Sequence, residues 1–530
     1  MEREESQAVA AAITAADLWV IAGYFAVVIG IGIRVTRATK SGDDLFLAGR
    51  SLGWGAIGVS LFASNISSTT LIGLTGAAYD TGISVSAYEW AAGIPLLILA
   101  FVFAPLYFRS RITTVPEYLE KRFDRRVRLY FSAVTVALTI IVDTAGGLYA
   151  GAVTVRTFFP DVAIWQTCIA IGIFAGLYTA AGGLRAVVYT DILQAAVLIL
   201  GTTVMTVILF SELGFSWDAV RAAMPPEQLS IVQPMDDDIL PWPGLILGVP
   251  ILGFWYWVTN QYIVQRVLGA ESLAAAQRGA VLGGLLKLLP MFIMVMPGAM
   301  AVALIQDLSN PDMVFPTMTA TVLPAGLTGL VLAGLIAAIM SSVDSTLNSS
   351  STLIVHDFLR VQERGVDARR VRWIGTGVTL ILMLVAIAWA PLIARFGGLW
   401  SYLQQAFSIL VPPVVAIFLL GALTRRVTGR AAFLTLAIGH AVGLGLFIAT
   451  QVGIWPLHFT INVGIMTGLS AVLALALSRG KPDPDRMEGT VWRPGFAGGE
   501  GAYGAPVRAD VRLWSALLVA GMVAILAGFW

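Results

Sequence analysis

Long apolar runs separated by short polar stretches dominate the pattern of this 530-residue chain. A membrane-spanning helix needs about 20 apolar residues, whereas the strands of an outer-membrane barrel alternate apolar and polar residues over about ten positions. The runs are continuous, and they predict an all-α polytopic membrane protein. About fourteen transmembrane helices are expected, at 16–34, 51–78, 83–107, 128–155, 161–181, 187–210, 240–265, 279–305, 323–352, 373–391, 400–423, 431–450, 459–478 and 511–529.

The basic residues between these runs predict the orientation, because cytoplasmic loops carry an excess of Lys and Arg. With the N-terminus outside, 28 of the 33 Lys and Arg residues fall in alternate loops, and only Arg3, Arg156, Arg221 and Arg395 fall in the others. Lys287 lies inside an apolar run. We therefore expect both termini to be extracellular or periplasmic, in a multi-pass protein of the plasma membrane, or of the cell inner membrane if the source is bacterial.

Composition supports the membrane assignment and excludes other classes. The chain is 57% hydrophobic and 12% charged, against roughly 25% charged residues in soluble domains. Asp and Glu (32) nearly balance Lys and Arg (33), so there is no basic field to attract nucleic acid, and the lipid bilayer is the expected surrounding. One cysteine excludes a disulfide framework and a cysteine-based zinc cluster. Three distant histidines disfavour a histidine metal site.

Two of the apolar runs are interrupted by polar residues. Residues 63–70 read Ala-Ser-Asn-Ile-Ser-Ser-Thr-Thr, and residues 257–262 read Trp-Val-Thr-Asn-Gln-Tyr about 195 positions later. Ser and Asn side chains compete for backbone hydrogen bonds, and matching interruptions in two halves indicate a transporter binding site. The second interrupted run comes five helices after the first, an odd number, so the repeat is inverted. The alternative interpretation is that small residues only allow helices to pack closely.

This symmetry predicts the organisation of the chain. A core of five plus five helices is preceded by one helix and followed by three. The segments are 1–50 (extracellular N-terminus and first accessory helix), 51–210 (first core repeat), 211–239 (extracellular loop), 240–423 (second core repeat) and 424–530 (accessory helices, with a cytoplasmic loop at 479–512).

Five ionisable residues lie within apolar runs, namely Glu89, Asp143, Asp191, Lys287 and Asp344. Each costs at least ~2.5 kcal/mol at the centre of a membrane helix, so each is a candidate functional residue. The alternatives are a buried ion pair or a side chain that reaches the membrane surface.

The ninth run carries a stripe of hydroxyl side chains. Carboxylate, hydroxyl and carbonyl oxygens suit a hard cation, and an unwound neighbouring helix would supply further carbonyls. A serine-rich packing face is the alternative. At 100° per residue the stripe contains Ala338, Ser341, Ser342, Ser345 and Ser349, with Asp344 at its edge.

Several motifs occur together in one order along the chain. They are Ala63-Ser64-Asn65-Ile66-Ser67, Tyr88-Glu89-Trp90, Val115-Pro116-Glu117-Tyr118, Gly182-Gly183-Leu184-Arg185-Ala186 with Thr190-Asp191, Asn260-Gln261-Tyr262-Ile263-Val264-Gln265-Arg266, Leu286-Lys287-Leu288 and the helix with Ser341-Ser342. Over about 45–425 the chain resembles the sodium/solute symporter family, and within it the sodium/glucose cotransporter branch. The resemblance implies a LeuT-type fold and sodium-driven uptake by alternating access, with no enzymatic chemistry.

The resemblance also implies the ion sites. The main sodium ion would be held by backbone oxygens of Ala63, Ile66 and Ala338 and by the hydroxyls of Ser341 and Ser342. A second sodium site, present in some members, matches Asp191, Ser341 and Ser345. Asp344 stands where a small or hydroxyl residue is expected, and it would either strengthen this site or pair with a basic group.

For the substrate, the resemblance implies polar contacts from Glu89, Asn260, Lys287 and Gln404, with Tyr262 as an aromatic gate. The chain departs from the sugar carriers at three positions, with Thr70 in place of a longer polar group, Ala92 in place of a hydroxyl, and Asp143 in place of an amide or basic residue. A fixed acid at 143 would suit a polyol or a cationic amine and would disfavour a carboxylate unless protonated.

The leading hypothesis is a sodium-coupled importer of a sugar or polyol, with sodium and a small molecule as its partners. The alternatives are a sodium-coupled carrier of an amino acid, amine or carboxylate, a membrane solute sensor, and a passive pore. The sequence leaves the substrate, the number of sodium ions and the oligomeric state open.

Overall fold

The computed structural model describes residues 13–36, 47–159, 161–237, 239–305, 308, 310–361, 364–396, 399–480, 482–493 and 509–530. Within these residues the fold is helical, with two isolated bridges and no strand. The helices of eight residues or more are α1 (Ala15–Thr36), α2 (Trp54–Asn65), α3 (Ser68–Thr81), α4 (Ile83–Ser110), α5 (Val115–Arg122), α6 (Arg125–Arg156), α7 (Ile164–Glu212), α8 (Gly244–Thr259), α9 (Gln261–Leu268), α10 (Leu273–Leu304), α11 (Val314–Thr321), α12 (Leu327–Phe358), α13 (Arg369–Ile393), α14 (Leu399–Leu423), α15 (Gly429–Gln451), α16 (Phe459–Leu477) and α17 (Ala509–Gly528).

Each of the fourteen predicted runs falls on helix. Ten helices in the described part are long and apolar enough to cross a membrane, or eleven if α2 and α3, which are bent by 58°, form one span. Helix α1, the start of α7 and helix α8 provide three shorter apolar segments. The protein is therefore a multi-pass membrane protein, while the count of fourteen stays a prediction. The predicted loop 479–512 lies partly outside the described residues, since 494–508 are not among them.

Helix α7 differs from the expectation. Two spans, 161–181 and 187–210, were expected with a loop between them, but the backbone is helical over all 49 residues from Ile164 to Glu212. At ~1.5 Å per residue such a helix is more than twice as long as the ~30 Å bilayer core. Residues 182–186, which were expected to connect the two spans as a loop, are helical. The change in hydropathy at these residues is therefore not accompanied by a break in the helix.

The centre of the bundle is formed by α2, α7, α10 and α12, in which α7 packs extensively against α12, α10 packs extensively against α2, and α2 also contacts α7. Close approach depends on glycine where α3 crosses its neighbours. A Cβ at Gly76 would lie 2.3 Å from the Pro311 carbonyl oxygen, and a Cβ at Gly298 would lie 2.3 Å from that of Thr75. Small residues that let backbones approach are the usual means of packing helices in lipid.

The accessory helix α1 is tied to the start of α12. The Asp17 carboxylate is buried and accepts hydrogen bonds from the backbone amides of Gly326 and Gly329, both at 2.7 Å. The first amides of a helix have no partner within the helix, and a carboxylate there also opposes the helix dipole favourably. A residue more than 300 positions earlier in the chain therefore caps α12.

Three connecting segments lie on one side of the bundle, at 111–124 (which contains α5), at 359–361 with 364–368, and at 424–428. They are rich in Arg and Lys, and we call this side the basic side. Contacts tie it together, because Arg122 donates to the Gly421 and Thr424 carbonyls at 2.8 and 2.9 Å, and Arg128 contacts Asp357 at 2.6 Å.

The packing at Gly76 leads to a stability prediction. Gly76→Ala places a methyl group against a backbone carbonyl that no side-chain rotation can relieve, so we expect a loss of about 1–3 kcal/mol, as for overpacked cores. Thermal unfolding of the detergent-solubilised protein measures it. Gly55→Ala on α2 is the matched control, because nothing lies within 4 Å of its Cβ. An unchanged midpoint for Gly76→Ala would contradict the close approach.

Candidate functional site

The first interrupted run forms two helices with a break at Ile66 and Ser67. Helix α2 ends at Asn65, Ile66 adopts φ −76° and ψ 83°, and α3 starts at Ser68. The Ser67 hydroxyl accepts from the Thr70 amide at 3.2 Å and so caps α3. Side-chain capping by Ser replaces the backbone bond that the break removes.

The break redirects the backbone donors of this segment. In a continuous helix the amides of Ser67 and Thr70 would bond to the carbonyls of Ala63 and Ile66. Here the Ser67 amide donates to the Asn65 carbonyl at 2.8 Å, and the Thr70 amide donates to the Ser67 hydroxyl. The carbonyl oxygens of Ala63 and Ile66 are therefore released from the helical pattern at the two positions that the resemblance implied as sodium ligands.

The second interrupted run is also broken where the sequence predicted. Helix α8 ends at Thr259, Asn260 is extended with φ −72° and ψ 124°, and α9 begins at Gln261. Asn260 is buried, and neither polar atom of its amide has a hydrogen-bond partner among the described residues. Its amide is thus placed at the break with its hydrogen-bonding capacity unused.

A cavity of about 120 Å³ lies between the two breaks. Five of the seven residues predicted to contact substrate line it, namely Thr70, Glu89, Asp143, Tyr262 and Gln404. The walls combine polar groups with aromatic rings, most of which were not predicted to contact the substrate. These further lining residues are Ser64, Asn65, Ser67, Thr69, Tyr88, Val249, Leu252, Gly253, Trp255, Tyr256, Trp257, Ser342, Thr346 and Phe407.

Lys287 does not line the cavity but holds groups that do. Its ammonium is fully buried, forms an ion pair with Glu89 and donates to the Asn65 side-chain oxygen. It also lies 5.7 Å from the centre of the Trp257 ring, within the range of a cation–π interaction. A buried charge without a partner is strongly unfavourable, so this pair fixes Glu89 at the edge of the cavity with its charge balanced.

The predicted main sodium ligands lie beside the same break. Ala63, Ile66, Ala338 and Ser342 are all buried, and α12 packs against both α2 and α3. The Ser342 hydroxyl lines the cavity and donates to the Ala338 carbonyl at 2.9 Å. The side chain of Ser341 lies outside the described side chains. Within the described residues no cluster of three or more His, Cys, Asp or Glu could hold a metal, so only carbonyl and hydroxyl oxygens are offered here.

The predicted second sodium residues are bridged by an arginine. Asp191 is fully buried and accepts from the hydroxyls of Ser60 and Ser64 at 2.5 and 3.1 Å and from Arg266 at 3.0 Å. Arg266 also donates to the Ser345 hydroxyl at 2.7 Å. Asp344 is fully buried one residue before Ser345. The guanidinium thus joins two of the four predicted ligands.

Arg266 was counted among the cytoplasmic loop residues, and this placement is wrong. Its side chain is 1% exposed and lies inside the bundle. The distribution of charges among the loops does not reveal this burial, because Arg266 stands near the end of an apolar run, where a basic residue is ordinarily solvated. The sequence does contain one indication of this burial, because Asp191 is an acid within an apolar run and requires a cationic partner.

Hydrogen bonds link the elements that lie between the second break and the basic side. Tyr107 donates to the Val258 carbonyl at 2.8 Å, and the Val115 amide donates to the Gln261 side chain at 2.8 Å. Asp357 accepts from Thr114 at 2.9 Å and from Arg128 at 2.6 Å. The cavity, in contrast, is lined by Tyr88 and Glu89 near the start of α4 and by Gln404 near the start of α14, and both helices have their other end at the basic side.

Comparison with known proteins agrees with this architecture. A model of the Sodium:solute symporter family matches residues 45–439. Sodium/glucose cotransporter 1 of Oryctolagus cuniculus is 36% identical over 479 residues, covering 82% of this chain and 72% of that protein. Sodium/glucose cotransporter 4 of Homo sapiens is 37% identical (81% and 68% covered), and the sodium/myo-inositol cotransporter of Mus musculus is 36% identical (82% and 67% covered).

Solved structures show the same fold. A Na⁺-coupled sialic acid symporter in a substrate-bound outward-open state superposes with a TM-score of 0.77 at 21% identity, covering 89% of this chain and 99% of that chain. A nucleobase-cation-symport-1 family transporter in a closed conformation gives 0.54 at 16% identity, with 84% and 97% covered. The chain therefore has the predicted LeuT-type fold, is a transporter and not an enzyme, and belongs to the Sodium:solute symporter family, with sodium as its coupling ion.

Proposed function

We propose that this sodium-coupled symporter imports a sugar or polyol by alternating access. The observation that carries the proposal is the cavity between the two helix breaks, where Thr70, Glu89 and Gln404 offer hydrogen bonds among aromatic rings. A hydroxyl-rich solute needs several hydrogen bonds to offset its desolvation. The relatives named for glucose and myo-inositol support the same class of solute.

The coupling ion would bind beside this cavity. In the proposed site the released carbonyl oxygens of Ala63 and Ile66 would be joined by the Ala338 carbonyl and by the Ser341 and Ser342 hydroxyls of α12. A sodium ion bound by both sets would hold the broken helix against α12. Coupling requires that the ion bind one conformation more tightly than the other, and a site built from two elements meets this condition because their separation changes its geometry.

The basic side is taken as cytoplasmic because Lys and Arg are retained on that side during insertion. The cavity would then extend toward the outside, with the cytoplasmic path closed by the bonds of Tyr107, Gln261 and Asp357. Under the same proposal both termini are extracellular or periplasmic, in the plasma membrane or a bacterial inner membrane. The two core repeats would comprise 51–210 and 240–423.

A second sodium ion would bind at Asp191, Ser341, Asp344 and Ser345 only after Arg266 moves. The guanidinium bridges Asp191 and Ser345 and therefore occupies the position that such an ion would take. In this proposal Arg266 and a second sodium ion are alternative cations for one buried carboxylate. The movement of Arg266 would accompany opening of the cytoplasmic path, because Arg266 lies on α9, next to Gln261 and Gln265, which bond to elements of the basic side.

Ser342→Ala tests the main sodium site. Removing one hydroxyl ligand should raise the sodium concentration for half-maximal uptake about tenfold, equivalent to about 1.4 kcal/mol. The measurement is solute uptake into proteoliposomes at varied external sodium. Ser349→Ala is the matched control, because Ser349 lies on the same helix and donates to the Thr346 carbonyl at 3.2 Å without lining the cavity. Unchanged sodium dependence of Ser342→Ala would contradict the site.

Gln404→Ala tests the substrate contacts. Losing a side-chain amide from the cavity should weaken solute binding about tenfold, while sodium binding measured without solute should stay within about twofold, since a hydrogen bond contributes about 0.5–1.5 kcal/mol. Equilibrium binding to the purified protein measures both. Gln405→Ala is the control, because that side chain lines a different cavity. Equal losses of solute and sodium binding would show that Gln404 is structural.

Asp191→Asn tests the pairing with Arg266. It leaves a buried guanidinium without its counter-charge, so the free energy of unfolding should fall by roughly 3–5 kcal/mol. The double variant Asp191→Asn/Arg266→Gln should lose clearly less than the sum of the two single variants. Thermal unfolding of the three variants gives the coupling, and strictly additive losses would argue against a direct pair.

A further inference from the structure

Asp143 differs from the buried carboxylates that form ion pairs in the core. Glu89 pairs with Lys287, Asp191 with Arg266, and Asp357 with Arg128. Asp143 lies in the middle of α6 and lines the cavity, and its buried Oδ2 atom has no hydrogen-bond partner among the described residues. No described basic side chain forms an ion pair with it. The cavity therefore carries one balanced acid, Glu89, and one unbalanced acid.

The surroundings of Asp143 are aromatic. The rings of Tyr256 and Tyr262 line the same cavity, with centroids 5.7 Å apart and planes at 86°. Both hydroxyls, and that of Tyr402, lie within electrostatic range of the Asp143 carboxylate. The Tyr402 hydroxyl is already committed, because it donates to the Ile141 carbonyl at 2.9 Å and accepts from Trp389 at 3.0 Å.

A carboxylate in a cavity lined by aromatic rings is an arrangement that can recognise an ammonium group. The carboxylate supplies the counter-charge, and the electron-rich ring faces attract the cation through their quadrupoles. A neutral solute would leave Asp143 charged and unpaired in a site from which it has expelled water, which is unfavourable. An anionic solute would add repulsion to this cost.

We propose that the preferred solute is a hydroxyl-rich compound that carries one protonated amino group, such as an amino sugar, with its ammonium on Asp143 and its hydroxyls on Glu89 and Gln404. This inference rests on the proposed uptake of hydroxyl-rich solutes and narrows the class. It also accounts for the departure at residue 143, since an acid there adds a negative charge that a neutral sugar does not need.

The test compares D-glucosamine with D-glucose, which share a ring and most hydroxyls and differ in one amino group. Uptake of each labelled probe into proteoliposomes is measured with and without an inward sodium gradient, at a pH where the amine is protonated. The wild-type protein should prefer glucosamine at least tenfold in uptake efficiency. Asp143→Asn keeps the shape and removes the charge, so it should lose at least tenfold of glucosamine uptake and shift the ratio of glucosamine to glucose uptake at least tenfold toward glucose.

Two further measurements separate a specific role from a structural one. Sodium-induced thermal stabilisation should persist in Asp143→Asn, which shows that the variant is folded, and Asp143→Glu should retain the preference for the amine. A wild-type protein that transports glucose as well as glucosamine would overturn the inference. An equal loss of glucose and glucosamine uptake in a folded Asp143→Asn variant would also overturn the inference. So would proton entry that accompanies glucose uptake by the wild-type protein and is abolished in Asp143→Asn.

The two levels of proposal fail differently. Sodium-dependent glucose uptake without a preference for the amine overturns only the role of Asp143 and leaves the proposed function standing. If neither probe, nor any member of a panel of sugars and polyols, enters with sodium, the proposed function fails and the inference fails with it.

Discussion

A bilayer offers no water to a peptide group that has left its helix, and the functional centre of this protein follows from that constraint. At residues 66–67 the chain interrupts a membrane helix, which would be strongly unfavourable if every released group stayed unbonded. The donors are satisfied locally, by the Asn65 carbonyl and the Ser67 hydroxyl. The carbonyl acceptors of the buried residues Ala63 and Ile66 are left without these donors, and a bound cation would satisfy them.

Charged groups in the core are likewise satisfied by partners within the protein. Each ion pair in the core joins helices that are distant in sequence, and Lys287 and Glu89 are 198 positions apart. Pairs of this kind make the bundle specific, because removing one partner is far more costly than any single surface contact. Between the cavity and the basic side some contacts are single hydrogen bonds, such as the one from Tyr107 to the Val258 carbonyl. Bonds of this strength can be exchanged for water when the path opens.

Local chemistry was predictable from the sequence, and contacts between helices were not. The two breaks follow from short polar runs at 63–70 and 257–262, and the structure has them at Ile66 and Asn260. The ionisable residues stood out because each is expensive in lipid. Their partners depend on which helices meet, so the bridge from Arg266 to Asp191 and Ser345 was not predicted. The aromatic wall formed by Tyr256, Trp257 and Phe407 was missed because aromatic residues are common throughout a membrane chain.

The capping of α12 by Asp17 has a mechanical consequence. Helix α12 is secured at its first turn by the Asp17 carboxylate and at its other end by Arg128, which contacts Asp357. Contacts at both ends of α12 restrain its position, whereas the neighbouring pair α2 and α3 is bent by 58° at the break between them. Helix α1 thereby restrains α12, against which α2 and α3 pack, although α1 contributes no residue to the lining of the cavity between the breaks.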